Sequence, residues 1–213
     1  MVNLHPNEGW PDGVTVIAIE GIDGSGKSTL VSSLGREPRL ITAFSRVSIV
    51  PEFGSPLGPC LREGLGTMSP LSIAYGFAAE RHWLIDHCDP TPGALVLWDR
   101  YVDSAYACRS ADVQAGRAPA LLMDVVHELT ERMPKATTTL YLDTSVVTAS
   151  ARLEERRRLL NWAVRSDASL LRFQREAYER LWRDRTPPPA RLDGEASRAM
   201  VVAEATDVLL SLR

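Results

Sequence analysis

Short apolar runs almost free of charge alternate along this chain with longer stretches in which apolar residues recur every three to four positions. The runs at Val14–Glu20, Arg46–Val50, Ala94–Trp98 and Thr138–Asp143, with a short one at Ala190–Asp193, read as strands. The intervening periodic stretches read as helices at Ser28–Leu34, Pro70–Cys88, Ala118–Met133, Val146–Asn161, Ser166–Arg183 and Glu195–Leu210. Ser69-Pro70 suits a helix start, because Ser can cap and Pro fits the first helical position. Thr186-Pro187-Pro188-Pro189 stops a long helix ahead of the last strand. Strand and helix in alternation predict an α/β fold: a five-stranded parallel sheet flanked by helices.

In such sheets ligands sit beyond the carboxyl ends of the strands, and three of those ends carry polar chemistry. They are Gly21–Lys27, Asp99-Arg100-Tyr101 and Asp143-Thr144, which should converge on one cleft. The first follows Val14–Glu20 and reads Gly21-Ile22-Asp23-Gly24-Ser25-Gly26-Lys27-Ser28-Thr29, a G-x-x-x-x-G-K-[ST] phosphate-binding loop in the strand-to-helix setting that it requires. Gly21, Gly24 and Gly26 let successive amides turn toward anionic oxygens, Lys27 reaches the β/γ-phosphates, and Ser28 offers a hydroxyl to Mg²⁺. Of 24 basic residues only Lys27 and Lys135 are lysines. One of the two therefore stands where a compact point charge is wanted. Asp99 ends a strand where a carboxylate near Mg²⁺ is expected, and Arg100 can clamp a second phosphate; a surface ion pair at a strand end is the alternative.

With 213 residues, 45% of them hydrophobic, the chain fits one domain spanning 1–213 with a loose polar tail at 1–12. A net charge of −3 argues against a nucleic-acid binder, so an anionic ligand falls to local arginines. Cys60, Cys88 and Cys108 are odd in number and scattered, as expected of reduced thiols in the cytoplasm. No apolar run approaches the ~18 residues of a membrane span. His82, His87 and Cys88 lack the i, i+4 spacing that sets two metal ligands on one helix face.

Taken in order, several motifs resemble the thymidylate kinase family of P-loop nucleoside monophosphate kinases. They are Glu20–Thr29, Gly54-Ser55-Pro56-Leu57-Gly58 with Leu61-Arg62-Glu63, Phe77-Ala78-Ala79-Glu80-Arg81, Asp99–Ser104, Leu140–Asp143 and Phe173–Tyr178. The resemblance implies a three-layer P-loop kinase fold with a helical lid, and transfer of the ATP γ-phosphoryl group to dTMP with Mg²⁺. It implies that Gly21, Asp23, Gly24, Ser25, Gly26, Lys27, Ser28, Thr29 and Arg152 meet the ATP phosphates, with Ser28 and Asp99 at Mg²⁺. Phe77 would stack on thymine and Arg81 would read its edge, i and i+4 on one helix face. A core role for Phe77 remains open. Asp23 would meet the acceptor's 3′-hydroxyl or the metal shell, and Arg62 and Arg100 its phosphate, with Phe53, Ala105 and Tyr106 completing that site.

Residues 150–166 match the family's lid, which would bring Arg156 onto the transferring phosphate; the competing reading is a solvated, ion-paired helix face. Lys27, Arg100, Asp23 and Arg156 are thus the expected catalytic set, and a homodimer is the expected assembly. The chain departs from the family pattern at Val50–Ser55, where an arginine is missing and Phe53 replaces a glycine. It departs again at Ala107-Cys108-Arg109, where the family places a tyrosine beside the sugar. Those departures keep two alternatives open: another or modified acceptor, and a nucleotide-binding protein without transfer activity.

Overall fold

A computed structural model describes residues 9–160 and 166–213. The remainder of the 1–12 tail, the helix end at Asn161 and residues 161–165 of the lid segment lie outside the described residues. The strands are β1 (Thr15–Glu20), β2 (Arg46–Val50), β3 (Ala94–Asp99), β4 (Thr138–Asp143) and β5 (Ala190–Asp193). They form one five-stranded sheet in the order β2-β3-β1-β4-β5, and every pairing is parallel. The helices are α1 (Lys27–Leu34), α2 (Pro38–Ala43), α3 (Gly58–Gly64), α4 (Pro70–His87), α5 (Val102–Gln114), α6 (Leu122–Glu131), α7 (Val146–Leu160), α8 (Ala168–Trp182) and α9 (Arg198–Leu210). No described helix is long and apolar enough to cross a membrane.

Parity along the strands decides which helices cover which face, because successive side chains point to opposite sides. Ile17, Ile19, Leu95 and Leu97 pack with Leu30 and Leu34 of α1 and Val201 and Leu209 of α9. Val16, Ala18, Val96 and Trp98 face the other way, against Ile85 of α4 and Tyr101. Farther along that side, Tyr141 of β4 meets Tyr178 and Trp182 of α8, the Tyr141 and Trp182 rings lying 4.7 Å apart edge to face. Both faces are thus covered, which is why the central strands read as continuous apolar runs.

The structure adds α2, α3 and α5 to the helices expected from periodicity. The face of α5 carries Ser104, Ala107, Arg109, Ala111 and Asp112 as its buried residues, so no apolar stripe marks it. The helix expected from Ala118 starts at Leu122, because Leu122 N and Met123 N bond back to Pro119 O and Ala120 O in a tight turn. The one expected from Glu195 starts at Arg198. Ser197 caps it through Met200 N, while Glu195 instead accepts from Ser145 N (2.7 Å) at the start of α7. Arg36-Glu37-Pro38 opens α2, with Glu37 accepting from Arg39 N.

Because β1 lies between β3 and β4, the loop after β1 emerges between those after β3 and β4. Arg100 N donates to Ile19 O at 3.1 Å, and Thr144 Oγ1 donates to Ser25 O at 3.3 Å. The three polar strand ends therefore meet.

Candidate active site

Gly24 and Gly26 adopt φ of +80° and +105°, a left-handed backbone that favours glycine. At Gly24 the need is also steric, since a Cβ would collide with Ala149 O of α7. The loop leads into α1, which has no side-chain cap at Gly26, so its first amides stay available to an anion. Lys27 is 4% exposed, and its ammonium is folded onto the loop, donating to Gly21 O (2.9 Å), Ile22 O (2.7 Å) and Ser25 Oγ (3.3 Å). Burial and the nearby Arg100 pull its pKa down to about 8, against the attraction of Asp23 and Asp99.

Two clefts open on opposite sides of this loop. The outer one is lined by Gly24, Ser25, Gly26 and Thr29, by Arg152 and Arg156 of α7, and by Gly194 and Ala196 beyond β5. Arg152 braces it, donating to Ser25 O (2.9 Å) and Gly194 O (3.1 Å). Arg156 stands exposed on its wall. Ser28 is exposed on the first turn of α1.

The inner cleft is lined by Asp23, Glu52, Phe77, Arg81, Arg100 and Ala105, among others. Arg100 holds a left-handed backbone (φ +66°) and is ion-paired to Asp23 and, at 3.2 Å, to Glu52. Burial opposes its charge, yet Glu52 and Asp23 outweigh that and raise its pKa. Asp23 also accepts from Ser166 Oγ and from Gln174 Nε2 (3.1 Å), while its own N–H donates to Gln174 Oε1 (3.1 Å). Against burial, Arg100 and Lys27 hold its carboxyl well below the usual range. Glu52 has fewer partners, so burial prevails there and raises its pKa.

Arg81 is 6% exposed and makes no hydrogen bond or ion pair among the described residues; its guanidinium lies 5.4 Å from the Phe77 ring, one turn back on α4. Its nitrogens face the cleft rather than a protein acceptor, so this group is placed to meet a ligand's acceptors. At the strand end, Asp99 Oδ1 is buried with no hydrogen-bond partner among the described residues, an oxygen that suits a cation.

Of the residues expected at the site, the structure brings Asp23, Phe77, Arg81, Arg100 and Ala105 to the inner cleft, and Gly24, Ser25, Gly26, Thr29, Arg152 and Arg156 to the outer one. Phe53, Arg62 and Tyr106 are not part of the inner wall. Phe53 reaches it through Phe77, ring to ring at 5.4 Å, with the Arg62 guanidinium 4.9 Å from the Phe53 ring. Its φ of +62° is a left-handed backbone that favours glycine, the residue expected there from the family resemblance. Sequence reasoning gave no role to Glu52, Ser166 or Gln174. Gln174 lay in a motif already noted, whereas the approach of Glu52 to Arg100 spans 48 residues and has no local signal.

A model of the thymidylate kinase family matches residues 19–198 of the chain. A probable thymidylate kinase of Pyrobaculum calidifontis is 32% identical, the match covering 76% of this chain and 79% of that protein. Another, of Natronomonas pharaonis, is 31% identical over 92% of this chain and 98% of its own. Among solved structures, a deoxyadenosine kinase from M. mycoides with products dCMP and a flexible dCDP bound superposes with a TM-score of 0.72 at 15% identity, covering 93% of this chain and 100% of that one. That last likeness is one of fold.

Proposed function

The chain belongs to the thymidylate kinase family, and from that premise we propose how its two clefts convert dTMP to dTDP with the γ-phosphoryl group of ATP. One observation carries the reading: a single phosphate-binding loop forms the wall between the clefts, Gly24–Gly26 facing one and Asp23 the other. A donor in the outer cleft and an acceptor in the inner one would meet across it. Proximity of this kind can supply about 7–11 kcal/mol of the barrier.

Lys27 exchanges its loop carbonyls for the β/γ-phosphates of ATP, and the free amides of Gly26 and α1 receive the same oxygens. Arg100 turns from its two carboxylates to the acceptor phosphate, where its planar fork can hold two oxygens. Phe77 supports the base and Arg81 donates to its edge, which satisfies that guanidinium. Ser28 and Asp99 would hold Mg²⁺, whose charge neutralises the donor phosphates when bound. An ionised phosphate oxygen is already a nucleophile, so no general base is assigned. Arg156 supplies positive charge to the transferring group from α7.

A second reading, another or modified nucleotide as acceptor, is favoured by Cys108 and the buried Arg109–Asp112 pair (3.0 Å) on the inner wall. ADP formation from ATP-Mg²⁺ with dTMP, dUMP, dCMP, UMP, dAMP or thymidine separates the two. The primary reading expects dTMP to be the best acceptor; turnover with another acceptor and none with dTMP would replace it with the second. The cytoplasm and a homodimer complete the proposal, the latter checked by light scattering of the purified protein.

A further inference from the structure

We infer that Glu20 is a positioning residue for the acceptor-phosphate clamp: through the turn after β3, Ser104 and Tyr178, it fixes where the Arg100 guanidinium stands relative to the phosphate-binding loop. The inference deepens the proposed function and rests on Arg100 holding the acceptor phosphate.

Glu20 is the last residue of β1 and is fully buried. It faces the same side as Val16 and Ala18, where an apolar residue would satisfy the packing of the sheet. A buried carboxylate is costly unless donors surround it, and here they do. One oxygen accepts from Tyr101 N (2.8 Å) and Ser104 N (3.3 Å). The other accepts from Ser104 Oγ and from Tyr178 OH (3.0 Å).

Two of these donors are backbone amides at the start of α5, whose own cap position, Tyr101, makes no side-chain hydrogen bond to the helix. Glu20 thus serves from another element as the acceptor cap that α5 lacks. Arg100 immediately precedes that cap, in a left-handed conformation that needs outside support. Ser104 Oγ closes the arrangement by accepting from Arg100 Nη1 at 3.4 Å, while Tyr178 OH lies 2.9 Å from the same hydroxyl and 3.4 Å from Gly21 O. The main chain of Glu20 runs directly into Gly21 of the loop, so one residue carries the donor's phosphate site on its backbone and the acceptor's clamp on its side chain. That linkage holds the two phosphate sites in register.

The test uses Glu20→Gln, Ser104→Ala and Tyr178→Phe, each alone and combined with Arg100→Ala, with dTMP as acceptor and thermal unfolding of every variant. Arg100→Ala should raise the acceptor KM about tenfold or more. Alone, Glu20→Gln and Ser104→Ala should lower kcat/KM for dTMP about tenfold and leave the ATP KM within about twofold. In the Arg100→Ala background the same changes should cost less than about twofold, because the group they position is gone. Losses that persist in full in that background would mean a merely structural role and overturn the inference, as would the absence of any loss in the parent. If Arg100→Ala leaves the acceptor KM unchanged, the clamp itself falls and the inference with it. Should Glu20→Gln fail to fold, Ser104→Ala and Tyr178→Phe decide by the same comparison.

Discussion

Replacing Arg81 by methionine should stabilise the unliganded protein and damage its acceptor site. The residue is 6% exposed, and its guanidinium has no hydrogen-bond or ion-pair partner among the described residues. Its pKa is lowered, burial outweighing the attraction of Glu20 and Glu52, so the charged form is disfavoured by folding. Holding a charged donor largely out of water with no protein partner costs about 1–3 kcal/mol. The contact with the Phe77 ring, at 5.4 Å, returns roughly 0.5–2 kcal/mol of that. Methionine has similar length and no donors, and the net gain should be about 1 kcal/mol. An unfolding entropy of about 2.1 cal/mol/K per residue over 213 residues converts this to a rise in Tm of about 2 °C. Hydrogen bonds from a charged donor to a bound base are worth about 1.5–3 kcal/mol, or roughly 10- to 150-fold in acceptor KM, with little change for ATP. Calorimetry without ligand and steady-state kinetics in each substrate measure both effects. A lower Tm with an unchanged acceptor KM would refute the argument that this side chain is held ready for the acceptor.

Lys27→Ala should reduce turnover by at least about a thousandfold without loss of circular-dichroism signal, since the ammonium touches only loop atoms; retained activity would remove the loop from the mechanism. Gly24→Ala forces a side chain against Ala149 O and a left-handed backbone, and should cost about 2 kcal/mol or more in urea unfolding together with most of the activity. Asp23→Asn should destabilise the protein at neutral pH. The folded-state carboxyl is depressed, so its contribution is full above the ordinary value of about 3.9 and is lost as pH falls below it. The gap between the two proteins in urea titrations should therefore close below about pH 4, and a gap independent of pH would contradict the Arg100 pairing.

The strands and the phosphate-binding loop were legible because their signals are local: continuous apolar runs for a sheet covered on both faces, and glycines at fixed spacing. Helix α5 was not, because its inward face is built from small and charged side chains, Ser104, Ala107, Arg109 and Asp112, that periodicity reads as polar. The site shows the same division. Lys27 announces itself by its place in the glycine-rich loop, and Asp99 and Arg100 by theirs at a strand end. Glu52, Gln174, Glu20 and Tyr178 matter through contacts between residues 48 to 158 positions apart, which only the sheet order brings together. Phe53 shows how a departure from the family pattern can be absorbed, since its left-handed backbone keeps the turn while its ring packs on Phe77.

The central claim is direct transfer across the shared loop. It is tested by incubating the protein with dTMP, Mg²⁺ and ATP labelled in the γ-phosphate, and following the label. The account predicts label in dTDP, one equivalent for each ADP formed, and none with Lys27→Ala. Label that stays in ATP, or is released as inorganic phosphate without dTDP, would contradict it.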